Sequence, residues 1–112
     1  MGLECRVDAI PVGPRLRVLV EVTNTGSEPL SPSAPGGEIG VSIRQDPRPP
    51  WEWTTAVSPN ETIDPGGKRH VECWCRDPAP GRATVTGRVS LPDRRIDDHT
   101  SVTVPARGRR SR

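Results

Sequence analysis

An alternating apolar pattern that runs into a polar turn constrains the fold of this chain more than any other feature. Every second residue from position 16 to position 22 is Leu or Val. In an extended strand this spacing puts all the apolar side chains on one face. An Asn-Thr-Gly turn follows at residues 24–26, and these residue types favour a change of chain direction. The pattern predicts a strand with one face buried against a second layer.

Similar stretches recur along the chain and are separated by turns. The 112 residues include 14 prolines, 11 glycines and three tryptophans, but no phenylalanine or tyrosine. This composition favours an all-β domain with a core of Val, Ile, Leu and Ala. Pro11 and Pro14 place the first strand at a sheet edge, and the second strand is expected at the sheet centre. The pattern predicts seven strands, at residues 3–12, 15–25, 38–45, 51–57, 68–75, 82–91 and 99–104.

The length and charge of the chain predict one folded domain with a basic tail. A chain of 112 residues has room for a single β-sandwich core. Four of the last six residues are arginines, so the rest of the chain carries a net charge of −2 although the whole chain carries +2. We predict an antiparallel β-sandwich over residues 1–105 and a disordered Arg-rich tail over residues 106–112. A solubilising terminus is expected there rather than a nucleic-acid contact.

Three turn motifs occur in a fixed order between residues 16 and 104. Val-Glu-Val-Thr-Asn-Thr-Gly occupies residues 20–26, Ile-Asp-Pro-Gly residues 63–66, and Pro-Gly residues 80–81 shortly before another strand. With these motifs the chain resembles bacterial immunoglobulin-like domains of the cell-adhesion-related (CARDB) and fibronectin type III-like kind. The resemblance implies a seven-stranded antiparallel immunoglobulin-like β-sandwich. It also implies a spacer, adhesion or accessory role, and it supplies no catalytic motif.

The sequence gives no sign of membrane insertion or export. The N-terminus lacks a basic segment followed by a sustained apolar run, which a secretory signal requires. No stretch approaches the roughly 20 apolar residues that span a bilayer. As written, the sequence predicts a soluble cytoplasmic protein without a membrane partner, or an extracellular one if a leader has been removed.

The three cysteines are the first candidates for chemistry. An odd number leaves at least one thiol free. Cys73 and Cys75 share a strand face with Val71, so we expect buried, unmodified thiols; a disulfide from Cys5 to one of them and a reactive or metal-binding thiol are the alternatives. His70 points to the opposite face, which prevents tetrahedral zinc coordination by this strand. We therefore predict no metal and no cofactor.

The acidic residues near the C-terminus do not match a calcium loop. Asp93, Asp97 and Asp98 are interleaved with arginines, and their spacing differs from that of an EF-hand. We interpret them as a solvated hairpin loop of mixed charge. The chain also contains no phosphate-binding loop and no nucleophile elbow, so we predict a non-catalytic protein.

The tryptophans are the candidate partner-binding residues. Trp51 and Trp53 share a strand face by alternation, and Trp74 points away from the face of Cys73 and Cys75. Exposed indoles are typical anchors for a partner, although a core position is the alternative for each of them. The sequence predicts a module that binds an unidentified protein, or alternatively a carbohydrate that stacks on the rings. A monomer or a dimer formed through an edge strand is expected.

Overall fold

Two antiparallel sheets packed face to face form the structure, confirming the predicted all-β sandwich. The computed structural model describes residues 2–30, 37–56, 62–91 and 94–106, and no helix occurs among them. The predicted disordered tail lies outside these residues apart from position 106. Seven strands make up the two sheets: β1 (Leu3–Val12), β2 (Arg15–Asn24), β3 (Glu38–Arg44), β4 (Trp51–Ala56), β5 (Lys68–Cys75), β6 (Gly81–Leu91) and β7 (Arg94–Val104).

The smaller sheet has the strand order β1-β2-β5, and the larger sheet has the order β4-β3-β6-β7. The first strand therefore lies at an edge and the second at the centre, as the sequence predicted. The fourth strand pairs with β3. This differs from a constant-type immunoglobulin domain, in which the fourth strand joins the sheet of the first, second and fifth.

The last strand begins earlier than the sequence predicted. It starts at Arg94, so Asp97 and Asp98 lie within a strand and the predicted hairpin loop is wrong for them; Asp93 lies outside the described residues. Asp97 is directly opposite Arg88 on β6, and opposite charges at paired positions stabilise a sheet. The first half of β7 carries charged residues at both inward and outward positions, so it has no apolar alternation to distinguish it from a loop.

The core contains aliphatic side chains and two cysteines, with no aromatic ring among the fully buried side chains of the described residues. Each strand of the smaller sheet contributes alternate residues to it. The apolar residues of the alternating pattern at positions 16–22 are all buried, namely Leu16, Val18, Val20 and Val22. The core members are Val7, Leu16, Val18, Val20, Val22, Ile39, Val41, Ile43, Ile63, Cys73, Cys75, Ala83, Val85, Val89 and Val104.

The two sheets approach each other most closely where β1 packs against β6 and β7. A side chain at Gly87 would place its Cβ only 3.0 Å from Val7 Cβ and 3.1 Å from Val20 Cγ2. Glycine therefore allows a closer approach of the two sheets here than a residue with a Cβ would. The neighbouring Asp98 on β7 reaches across this contact, and its Oδ2 accepts a hydrogen bond of 3.0 Å from the Val7 amide.

That hydrogen bond also closes the outer edge of β1. The Val7 amide points away from β2, and alternate residues of an antiparallel strand point their amides in the same direction. The nitrogen of Pro11 therefore also faces outward. Since no strand pairs with that side of β1, the N–H group that proline lacks would have made no hydrogen bond in the sheet. A proline and an inward-pointing carboxylate both protect an edge against pairing with another strand.

The chain enters and leaves the sandwich at opposite ends. Gly2 lies beside Gly26 at the end where β2 finishes. β7 finishes at Val104, opposite Gly81, at the end where β2 begins. Two buried polar side chains occur in the described residues, Asn24 at the first end and Gln45 at the second.

Candidate functional site

The structure separates the three predicted tryptophans into two locations. Trp51 and Trp53 lie opposite the buried Ile43 and Val41, so both rings share the inner face of β4, where they are half-buried against the core. Trp74 lies between two buried cysteines and points outward from the smaller sheet, with 37 % of its surface exposed. Alternation therefore predicted the relative orientation within each strand, but the three rings do not form one surface.

The position of β4 explains why its two indoles are only half-buried. β1 packs against β7 and β2 against β6, so β5 is the one remaining strand of the smaller sheet to cover both β3 and β4. The rings of Trp51 and Trp53 cover this open side of the core. Trp51 also lines a groove of about 360 Å³ together with Pro49, Pro50 and Cys75. These rings stabilise the sandwich at its wider edge.

The outer face of the smaller sheet carries the exposed apolar residues. Ile10, Val12 and Trp74 are 51 %, 45 % and 37 % exposed, and they are the exposed large apolar side chains in the part of the chain that the structure describes. Ile10 is paired with Arg17, and Arg17 with Trp74. The half-buried Leu19 lies on the same face, two residues along β2. We call these four residues, Ile10, Val12, Leu19 and Trp74, the apolar patch.

Charged side chains flank the apolar patch on both sides along the strands. Asp8 and Glu72 are paired with Leu19 from either side, which makes one flank acidic. Arg15 is paired with Val12, which makes the other flank basic. Arg17, in the middle row, forms an ion pair with Glu72, and both side chains are partly exposed. The patch therefore combines exposed apolar area with charges of opposite sign at its two ends.

The outer face of the larger sheet has a different chemistry. The described side chains there are hydroxyl, charged or imidazole groups, and Arg88 extends over Gly40. The central positions of this face are Ser42, Glu52, Thr54, Thr84, Thr86, Arg88, Asp97, His99 and Ser101. Such a face is typical of a solvated sheet. The exposed apolar area is thus confined to one of the two outer faces in the described residues.

A cleft of about 660 Å³ with a mixed polar and apolar lining lies at the end where β3 finishes. Gln45 lines the cleft, and its side-chain amide donates to the Ala79 carbonyl at 2.6 Å and accepts from the Ala79 amide at 2.9 Å. Arg48 donates to the Asp77 carbonyl at 3.0 Å. The cleft is lined by three arginines and two aspartates, Arg44, Arg48, Arg82, Asp46 and Asp77. These opposite charges offset one another and define no single-sign pocket.

The thiols are held in their protonated form. Burial, with smaller contributions from the Asp98 and Asp97 carboxylates, raises the pKa of Cys5 to about 11. Burial, followed by Cys75 and Glu72, raises the pKa of Cys73 to about 11.

Burial also raises the pKa of Cys75, against the opposing effects of the Asp77 amide and Arg48. All three thiols are free, and Cys73 and Cys75 are buried as predicted. Protonated thiols are poor nucleophiles and poor metal ligands. No cluster of three or more His, Cys, Asp or Glu side chains suited to a metal occurs in the described residues.

Sequence reasoning identified Trp74 but missed Ile10, Val12 and Leu19. The signal for Ile10 and Val12 was available, because Pro11 and Ala9 point inward in β1 and their neighbours must therefore point outward. The pairing that brings Ile10 to Trp74 through Arg17 depends on strand register, which the alternation does not specify.

No helix among the described residues is long and apolar enough to cross a bilayer. No protein-family model matches this chain, and a search of curated proteins finds no similar sequence.

Proposed function

We propose that this protein is a non-catalytic β-sandwich module that binds another protein through the outer face of its smaller sheet. Trp74 is the central anchor of that surface, and Ile10, Val12 and Leu19 extend it. In this proposal Trp51 and Trp53 support the fold at the open side of the core rather than contact the partner.

The confinement of exposed apolar area to one sheet face carries the proposal. A solvated sheet face usually presents polar residues, as the larger sheet does. Exposed apolar side chains on one face with polar residues around them are typical of protein interaction sites; here Arg17 lies between Ile10 and Trp74. A tryptophan beside an arginine is also a frequent combination at binding hot spots, and Arg17 is paired with Trp74 in the sheet.

We further propose that the sandwich is of the immunoglobulin-like kind that the sequence motifs resemble. Support comes from Asn24, the asparagine of the first motif, which donates to the carbonyl of Ile63, the first residue of the second motif, at 2.9 Å. The two motifs thus meet at one end of the sandwich. This explains why they occur together in one chain, and it bears on fold rather than on the identity of a partner.

Affinity capture with matched variants tests the binding proposal. The intact protein, Trp74→Ala and His99→Ala are used as baits in lysate of the source organism, each first shown to be folded by circular dichroism. His99 is exposed on the outer face of the larger sheet, so its variant is the control. A protein retained by the intact and His99→Ala baits should bind Trp74→Ala at least about 30-fold more weakly, since truncation of an anchor costs about 2 kcal/mol or more.

Equal capture by all three baits would contradict the proposed surface. A Trp51→Ala/Trp53→Ala variant tests whether the two rings of β4 bind the partner instead. If those rings are structural, the variant should lose stability but still retain the partner. The carbohydrate alternative predicts instead that soluble polysaccharide quenches the indole fluorescence of the intact protein and not that of Trp74→Ala.

A further inference from the structure

We infer that the apolar patch is suited to a second copy of this chain, in a symmetric dimer whose two-fold axis runs along the row Ile10–Arg17–Trp74. The inference rests on the proposed function, because both require this sheet face to bind protein. It adds the identity of the partner and the geometry of the contact.

The layout of charge around the patch carries the inference. A two-fold contact uses the same surface on both copies, so that surface must complement itself. Here the acidic flank with Asp8 and Glu72 lies on one side of the middle row, and Arg15 lies on the other. A two-fold rotation about the middle row brings the row of Asp8, Leu19 and Glu72 of each copy over the row of Val12 and Arg15 of its partner, with Asp8 one strand away from the partner's Arg15. Arg76, which directly follows β5 and is exposed, extends the basic flank.

The middle row itself is compatible with this axis. Residues on a two-fold axis meet their own counterparts, so Ile10 would pack on Ile10 and Trp74 near Trp74. Arg17 would also approach its counterpart, and its ion pair with Glu72 offsets the repulsion between the two guanidinium groups. The apolar members of the row would lose water-exposed area, which is the main favourable contribution to association.

Two further properties of the chain favour association with its own copy. The net charge is only +2, so long-range repulsion between copies is small. The outer edge of β1 lies against β7 and its Val7 amide is bonded to Asp98. Pairing through this edge strand, one form of the dimer expected from the sequence, is therefore opposed, whereas the sheet face is open.

The size of the face predicts a weak dimer. Three strands of ten residues or fewer cover roughly 450 Å², taking strands about 4.8 Å apart with a rise of about 3.3 Å per residue. A standard interface buries about 800 Å² on each partner. We expect the dimer to become populated above roughly 100 µM protein.

A reciprocal charge exchange tests the geometry. Asp8 and Arg15 are both exposed and make no described side-chain bond, so Asp8→Lys and Arg15→Glu should each fold normally. Sedimentation equilibrium of the full chain measures the association constant of each variant alone and of an equimolar mixture. Each variant alone places like charges across the contact and should associate about tenfold more weakly than the unmodified chain. In the mixture the introduced lysine meets the introduced glutamate, and heterodimers should form at about the unmodified strength.

Three outcomes would overturn the inference. They are no association of the unmodified chain at any concentration up to about 1 mM, ten times the expected threshold; association that is as strong after either exchange; and a mixture whose association does not recover. In any of these cases, the intact bait can still retain another protein that the Trp74→Ala bait loses. The proposed function then stands, and only the identity of the partner is wrong. If the Trp74→Ala bait also captures as well as the intact one, both proposals fail.

Discussion

The two ends of the sandwich each contain one buried side-chain amide, but the two amides serve different structures. At the end where β2 finishes, Asn24 is fully buried and its side chain bonds two segments, the turn after β2 through the Gly26 amide and the Glu28 carbonyl, and the segment before β5 through the Ile63 carbonyl, at 2.8 to 2.9 Å. At the other end, Gln45 is 8 % exposed, and among the described residues its side chain bonds only Ala79. The first amide holds two segments together at its end, whereas the second lines an open cleft.

The difference shows how a β-sandwich can fix its connections at one end and leave the other accessible. The main-chain amide and carbonyl of Asn24 also bond Gly67 and Gly66, so the residue joins the turn after β2 to the turn before β5. At the Gln45 end the charged side chains around Asp77 and Arg48 meet solvent. Substitutions at the two amides should therefore have unequal costs, although the chemical change is the same.

The largest effect is expected for Asn24→Asp. The carboxylate can still accept from the Gly26 amide, but it cannot donate to the carbonyls of Glu28 and Ile63, and it places a buried charge against them. We expect a loss of about 3 to 5 kcal/mol in the free energy of unfolding, measured by urea denaturation. Thr25→Ala, at the exposed neighbouring position, is the control and should change stability by less than about 0.5 kcal/mol. A cost below about 1 kcal/mol for Asn24→Asp would mean that this amide does not hold the two segments together.

The matched substitution at the other end, Gln45→Glu, should cost less. The acid keeps the acceptor for the Ala79 amide and loses only the donation to the Ala79 carbonyl. The cleft also contains three arginines, among them Arg48, and admits water, so the new charge is compensated. We expect a loss of about 1 to 2 kcal/mol in the same urea experiment. A loss equal to that of Asn24→Asp would remove the distinction between the two ends.

Alkaline titration sharpens the comparison through the cysteines nearest each end. The pKa of Cys5 rises from 9.0 to about 11 on folding, so the unfolded chain releases its proton first as the pH rises. The stability that Cys5 contributes is complete below pH 9 and is lost between pH 9 and about 11. The chain has no tyrosine and one lysine, which leaves this window largely to the thiols.

At the cleft end, the Asp77 amide and Arg48 oppose the rise in the pKa of Cys75. We therefore expect the free energy of unfolding, measured by urea denaturation from pH 8 to 11, to fall less steeply with pH in Cys5→Ala than in Cys75→Ala. Equal slopes of the free energy of unfolding against pH for the two variants would show that folding raises the pKa values of the two thiols equally.

The smallest effect concerns coupling between the ends. The ten residues of β2 separate them by about 30 Å, and sites this far apart usually contribute independently. The double variant Asn24→Ala/Gln45→Ala should lose the sum of the two single losses to within about 0.5 kcal/mol. A larger coupling energy in this double-mutant cycle would show that the two ends act as one unit.

The sequence predicted the fold well where one strand face is buried. The alternation at residues 16–22 located β2 and its buried face, and the bounds of β1 and β5 agree with the prediction. The start of β7 was missed because its first half carries charged residues on both faces. Periodicity reports burial, so it gives no signal for a strand of that kind.

The candidate site was less predictable than the fold. The alternation of side chains along β5 placed Trp74 outward, but no residue pattern near Trp51 and Trp53 indicated that they face the core. That assignment follows from the pairing of β4 with β3, which depends on contacts between distant parts of the chain. The same holds for the apolar patch and for Asn24, whose turn was visible in the sequence while its bond to Ile63 was not.

The entry and exit of the chain at opposite ends give the domain a defined response to pulling. β1 starts beside Asn24, and β7 ends at Val104 at the far end. A tensile force between the two termini of the sandwich would slide β1 along β2, and β7 along β6. The ladder hydrogen bonds lie across the strands, so many of them must break together instead of one after another. Such shear loading makes the unfolding rate under tension low, and the contact between Val7 and Asp98 adds a further bond to the strands that carry the force.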